Sequence, residues 1–198
     1  MKTVGLTGGI ACGKSTVAQI LRDDLHLTVI DADLVSREVT AKNSAGLAQI
    51  VEAFGTEILT GEASLDRKKL GRLIMERPER RKQLEAITHP LIREEISSRL
   101  SALKAGGAAV AVVEAALMVE TGSYVLYDDV IVVTASRETQ LQRLAVRNGF
   151  DAEEAARWVD SQMPIELKTA VATVVIENEG SLEDLRNITL QAWSRLEF

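Results

Sequence analysis

Cysteine is almost absent from this chain. The one copy, Cys12, can form no intrachain disulfide and cannot build a cysteine-rich zinc site. Aromatic residues make up only 4% of the 198 residues, so the core must be made from Val, Leu, Ile and Ala. The same scarcity argues against a platform for stacking single-stranded bases. There is no surplus of positive charge either: the formal net charge is −6, which argues against a general nucleic-acid or membrane-surface binder. No apolar run is long enough to cross a bilayer, since the longest nearly uncharged stretch, Gly106 to Val119, is broken by Glu114. The apolar stretch after Lys2 runs straight into glycines and lacks the pattern of a secretion signal, so the expectation is a cytoplasmic enzyme.

What the chain does have is an ordinary globular composition, 46% hydrophobic and 26% charged, at a length suited to one α/β core with insertions. It also has the octet Gly8-Gly9-Ile10-Ala11-Cys12-Gly13-Lys14-Ser15. This string satisfies G-x-x-x-x-G-K-[ST], follows a short apolar run at Val4 to Leu6, and precedes Val17, Ala18, Leu21 and Leu25 at near-helical spacing. A glycine-rich turn between strand and helix lets backbone N–H groups surround an oxyanion, helped by the positive end of the helix. Lys14 can then reach the β- and γ-phosphates of a nucleoside triphosphate, and the Ser15 hydroxyl can ligate Mg²⁺.

Four further segments read as buried strands: Leu27 to Ile30, Ala109 to Val113, Val130 to Thr134 and Val174 to Ile176. Helical patterns between them give the alternation of a parallel, doubly wound sheet. Asp151 with Glu154 and Ser181 with Asp184 are spaced as capping boxes, and Pro164 suits a first-turn position. Two crossovers are longer than the sheet requires, one before Ala109 and one between Thr134 and Val174. Enlarged crossovers at the carboxyl edge of such a sheet are where α/β enzymes carry substrate domains and lids.

Asp31-Ala32-Asp33 follows the second strand, at the edge shared with the phosphate loop. On strand alternation Asp31 and Asp33 point the same way. One carboxylate can take a proton from a substrate hydroxyl; a purely local alternative is that Asp33 caps the next helix. The first long crossover contains Arg67, Lys68, Lys69, Arg72, Arg77, Arg80, Arg81 and Lys82, opposed only by Glu76 and Glu79. In an acidic chain that patch points to an anionic substrate, or for about half of its members to a solvated helix face. His89, before Pro90, reads as a helix-start residue able to touch a phosphate or to make a structural hydrogen bond. In the second crossover Arg143 and Arg147 are one turn apart, which suits lid chemistry around a transferring phosphoryl group, or pairing with Glu138 or Glu154. Glu114 ends the third strand, where phosphate-loop proteins keep an acid near the metal. Cys12, at a helix N-terminus, is placed for a lowered pKa, or is simply small enough to fit.

Together these residues resemble the dephospho-CoA kinase family from end to end. The carriers are Gly5-Leu6-Thr7-Gly8-Gly9-Ile10 leading into Gly13-Lys14-Ser15-Thr16, then Ile30-Asp31-Ala32-Asp33 and Leu65-Asp66-Arg67-Lys68-Lys69-Leu70. Thr88-His89-Pro90-Leu91-Ile92, Gln162-Met163-Pro164 and Ile176-Glu177-Asn178 complete them. The resemblance implies a P-loop NTPase fold with a five-stranded parallel sheet in one kinase domain. Its core would cover residues 1–33, 105–135 and 171–198, with a helical substrate insertion over about 34–104 and a lid over about 136–170. It implies ATP as co-substrate, Mg²⁺, and transfer of the γ-phosphate to the ribose 3′-hydroxyl of dephospho-CoA. Asp33 would be the base, with Lys14 and Arg143 also catalytic and Ser15 on the metal.

Nucleotide contacts would come from the run Gly9 to Thr16 (Gly9, Ile10, Ala11, Cys12, Gly13, Lys14, Ser15, Thr16) and from Arg143, Arg147 and Asn178. The acceptor would be held by Asp33, Arg67, Lys69, His89 and Glu120. The resemblance implies a small-molecule acceptor, with no nucleic acid, membrane or obligate protein partner expected. After the third strand the family tends to read D-x-P-L-L-F-E, whereas this chain reads Glu114-Ala115-Ala116-Leu117-Met118-Val119-Glu120. Glu120 is kept; the proline and aromatic positions are not. Glu177 also replaces the usual aspartate before Asn178. A kinase of the same fold acting on a nucleoside or nucleotide is the nearest competing reading. A GTP switch lacks its N-K-x-D and D-x-x-G motifs here, and a protein kinase its H-R-D and D-F-G.

Overall fold

The computed structural model describes residues 1–196, the side chain of Glu76 excepted, so the last two positions of the expected core segment 171–198 lie outside the described residues. Five strands form one fully parallel sheet in the order β2-β3-β1-β4-β5. They are β1 (Lys2–Gly8), β2 (Val29–Asp31), β3 (Val110–Glu114), β4 (Asp129–Thr134) and β5 (Val174–Glu177). β1 lies in the middle, and the chain passes to one side of it for β2 and β3 and to the other for β4 and β5. That reversal opens a crevice at the carboxyl ends of the strands, and the loop after β1 leads into it.

Both faces of the sheet are covered, which is why the strands read as nearly unbroken apolar runs. Ile131 and Val133 of β4 join Val4, Leu6, Val112 and Ile176 under α1 (Lys14–Leu25) and α9 (Leu182–Ser194). Their neighbours Val130 and Val132 turn to the other face and pack with Met118. Helices α6 (Arg137–Asn148), α7 (Ala152–Asp160) and α8 (Ile165–Thr169) fill the crossover from β4 to β5. Ser136, Asp151 and Ser181 cap α6, α7 and α9, and Ser181 with Asp184 makes both arms of a capping box. Pro164 stands at the N-cap of α8, one position before the first-turn place expected for it.

The second strand departs from its expected place. Leu27 is drawn into the end of α1, its N–H donating to Leu21 O (3.1 Å) after His26 turns left-handed at φ 53. Pairing therefore starts later, at Val29, and runs to Asp31; α2 (Ala32–Val39) follows with no loop between.

The chain divides into two compact units, one holding Met1–Asp31 and the chain from Gly106 onward, the other Ala32–Ala105. The second unit is helical: α2, α3 (Ala45–Phe54), α4 (Arg67–Glu76) and α5 (Pro78–Ala105), with Ile50, Phe54, Ile58 and Leu70 as its buried centre. His89 is not at a helix start, because α5 runs unbroken through Pro90. No helix among the described residues is long and apolar enough to cross a membrane.

Candidate active site

β1 delivers Gly8 to the carboxyl edge of the sheet, and the chain must reverse within the few residues before α1 begins at Lys14. Two of those residues are left-handed: Ala11 at φ 56 and Gly13 at φ 93. Glycine is needed at 13 on a second ground, since a Cβ there would run into Asn178 Nδ2. Gly13 is also the N-cap of α1 and has no side chain to cap it; of the first-turn N–H groups, that of Thr16 turns back to Gly13 O (3.0 Å), and no capping side chain competes with an anion for those of Lys14 and Ser15.

Lys14 and Ser15 converge on one acid. Lys14 Nζ is 2.6 Å and Ser15 Oγ 3.1 Å from Glu114 Oε1, while an Arg22 Nη2 stands 3.8 Å from Glu114 Oε2. Glu114 is 3% exposed, so this charge is kept inside by its cationic and hydroxyl partners. The expectation of an acid beside the metal position thus corresponds to a carboxylate touching the Ser15 hydroxyl. Hard oxygen donors in ones and twos, supplemented by phosphate oxygens, are the set Mg²⁺ takes in kinase sites, and Ser15 with Glu114 fits it. Among the described residues no group of three or more His, Cys, Asp or Glu could hold a metal on its own.

The far side of the loop is bound by side chains from beyond β4. Arg143 Nη1 donates to Ala11 O (3.2 Å), and its Nη2 to the Asn178 main-chain oxygen (3.0 Å) and Oδ1 (3.2 Å). Asn178 Nδ2 donates to Cys12 O (2.8 Å). Arg147 is exposed and donates to Asn148 Oδ1 (2.8 Å); it is not brought to the loop in this structure. Two residues here escaped the sequence reading of the site. Gln140 Nε2 donates to Ile10 O (2.9 Å) and lies 3.1 Å from Cys12 Sγ, and Gln162 Oε1 accepts from Ile10 N–H (2.7 Å). Gln162 belongs to a motif already noticed, but nothing local in the sequence marks Gln140.

Cys12 corrects an expectation. Its side chain is fully buried, and that burial pushes the thiol pKa up, against the smaller lowering effects of Gln140 and the backbone groups of Ala135 and Gly9. A thiol with less thiolate at neutral pH and no solvent access should react with iodoacetamide at least about tenfold more slowly than a free cysteine. Denaturation should restore the rate. Cys12→Ser should keep activity; fast alkylation of the native protein would contradict the buried placement.

The remaining expected residues have the following local settings. Asp33 is exposed in the first turn of α2; because the helix starts at Ala32, Asp33 is neither an extension of the strand nor the N-cap. Arg67 opens α4 and donates to Thr40 Oγ1 (2.8 Å), and partial burial followed by the nearby Arg37 charge lowers its pKa. Lys69 is exposed in the same first turn, its N–H taken by the Asp66 cap. His89 is half-buried along α5, its carbonyl accepting from Arg93 Nε (3.3 Å). Of the basic patch, Arg80 and Arg81 are used locally, Arg80 on Ala53 O and over the Phe54 ring, Arg81 on Glu85. Glu120 is paired with Lys168 (2.6 Å), a fully buried lysine that also donates to Ala116 O (3.1 Å). In the segment that departs from the family pattern, Met118 is fully buried against Val130 and Val132 and anchors the turn without proline.

Comparison with known proteins adds the following. The family model described as dephospho-CoA kinase matches residues 2–184. A dephospho-CoA kinase of Geobacter metallireducens is 44% identical over 193 residues, covering 98% of this chain and 96% of that protein. Among solved structures, a dephospho-CoA kinase from Campylobacter jejuni superposes with a TM-score of 0.73 at 33% identity, over 98% of this chain and 96% of its own. A protein from Thermus thermophilus does so with a TM-score of 0.81 at 34% identity, over 100% and 98%.

Proposed function

The chain belongs to the dephospho-CoA kinase family and is an ATP-dependent phosphotransferase acting on dephospho-CoA, and from that premise we propose the chemistry of its site. The γ-phosphate passes to the ribose 3′-hydroxyl of the acceptor, in the cytoplasm, with Asp33 as general base. The observation that carries this reading is the convergence of Lys14 Nζ and Ser15 Oγ on the buried Glu114 carboxylate at the carboxyl edge of the sheet.

In that arrangement Lys14 is held ready at the mouth of the loop, and an incoming polyphosphate competes with Glu114 for its ammonium group. Ser15 and Glu114 would hold Mg²⁺, which when bound neutralises charge on the β- and γ-phosphates. The loop N–H groups and the start of α1 hold the phosphates in line for attack. Arg143 joins them from α6 as charge spreads over the transferring group. Asp33 removes the 3′-hydroxyl proton, the ribose oxygen bonds to the γ-phosphorus, and the bond from that phosphorus to the β,γ-bridging oxygen breaks, so that ADP leaves with its electrons. Arg67, Lys69 and His89 receive the anionic parts of the acceptor, and Arg67 is fixed for this by Thr40. Glu120, fixed by Lys168, orients the acceptor's polar groups. The test is ATP-dependent turnover of dephospho-CoA beside adenosine and AMP, with the position of the new phosphate read on the product.

A further inference from the structure

We infer that Gln140 and Gln162 are positioning residues for the nucleotide phosphates: they hold Ile10 by its N–H and its carbonyl, fixing the peptide groups on either side of it, and set the direction of the loop's N–H groups. The inference rests on the kinase reading above. A loop that cradles an anion must keep successive N–H groups on one side, through left-handed turns that L residues do not favour by themselves. Ala11, at φ 56, is such a residue and has no glycine freedom to excuse it. Something outside the loop has to hold it there.

Across a trans peptide, a carbonyl and the next N–H point in opposite directions. Side-chain donors reach three successive carbonyls of this loop: Gln140 Nε2 on Ile10 O (2.9 Å), Arg143 Nη1 on Ala11 O (3.2 Å) and Asn178 Nδ2 on Cys12 O (2.8 Å). Held on that side, they turn the N–H groups of Ala11, Cys12 and Gly13 the other way. Only a long bond, Cys12 N–H to Gly9 O at 3.4 Å, draws on these three from within the loop. Gln162 secures the preceding N–H, that of Ile10, at 2.7 Å. The amide orientations follow from the partners: a carbonyl can only be met by the Gln140 NH₂ and an N–H only by the Gln162 oxygen.

Gly9 is what lets Gln140 come so close, since a Cβ there would stand 2.8 Å from Gln140 Nε2. Gln140 is 8% exposed, so water offers little replacement for the bonds it makes. Gln140 lies on α6 and Gln162 between α7 and α8, so the crossover expected to serve as a lid also shapes the loop it would cover.

The test uses Gln140→Met and Gln162→Met, which keep volume and remove the amide. Each should weaken ADP binding and raise the ATP KM by about tenfold, the worth of a buried hydrogen bond. The KM for dephospho-CoA should stay within about twofold, and the double variant should cost less than the product of the singles, because both hold one residue, Ile10. A packing role alone would lower the melting temperature and leave ADP affinity in place. Gln162 is only half-buried, so its replacement disturbs little packing and decides the matter whether or not Gln140→Met folds. Wild-type ADP affinity in Gln162→Met would overturn the proposal. ADP binding is measured without acceptor, so a failure to turn over dephospho-CoA would count against the kinase reading and not against this one.

Discussion

Asp33→Asn should give a folded enzyme whose kcat is lower by about 10² to 10⁴, the usual contribution of a positioned general base. Asparagine keeps the size of the side chain and loses only its charge and its ability to take a proton. The side chain is exposed, so no packing is disturbed. Because α2 begins at Ala32, the substitution removes no N-cap; the first-turn negative charge it removes is worth about 0.3–1 kcal/mol against the helix dipole. That loss lowers the melting temperature by about 2–4 °C per kcal/mol for a chain of this size, so melting is recorded beside the rate. ATP affinity should hardly change, since the loop amides, Lys14 and Ser15 hold the nucleotide. If Asp33 served only the start of the helix, folded Asp33→Asn would turn over dephospho-CoA at nearly the wild-type rate.

Lys14→Ala and Arg143→Ala should fail in different ways. Lys14 faces the phosphates in the ground state and the transition state alike, so ATP affinity and kcat should both fall, with kcat/KM for ATP down by about 10³ or more. The variant carries a structural penalty too. Glu114 is 3% exposed and loses its 2.6 Å partner, and removing one member of a buried pair costs about 3–5 kcal/mol where nothing replaces it. Ser15 and Arg22 remain beside Glu114, so the loss should lie below that range. Arg143→Ala should lower kcat by up to about 10³-fold, as charge develops on the transferring group. Its bond to Ala11 O adds a ground-state effect that sequence spacing does not suggest, a rise of about tenfold in ATP KM. An unchanged kcat in Arg143→Ala would remove the arginine from the mechanism and leave Arg147, exposed beside Asn148, as the next candidate.

The phosphate loop and the five strands were legible because each is a local pattern: glycines at fixed offsets, and apolar runs bounded by turn residues or the start of a helix. The end of β2 was not. A helix that follows a strand without a loop leaves no turn chemistry at the boundary, and Asp31-Ala32-Asp33 then reads as strand when its second and third residues are helical. Pro90 misled in the opposite sense: proline marks a helix start more often than an interior, yet α5 continues through it. Arg143 could be picked out by its charge on a crossover helix. Gln140, an uncharged residue one turn before it, has no pattern to betray it, and only the folding of α6 onto the loop gives it a partner. Cys12 shows the limit of a position-based pKa argument, because burial outweighs a helix N-terminus once the thiol is enclosed.

The most direct test is kcat/KM for dephospho-CoA against adenosine and AMP at fixed, saturating MgATP, with the product's phosphate located by ³¹P NMR. A site that spends contacts on the distant parts of its acceptor should prefer dephospho-CoA by at least about 10²-fold and place the phosphate on the ribose 3′-oxygen. Equal or better turnover of adenosine or AMP, or phosphate at any other position, would contradict it.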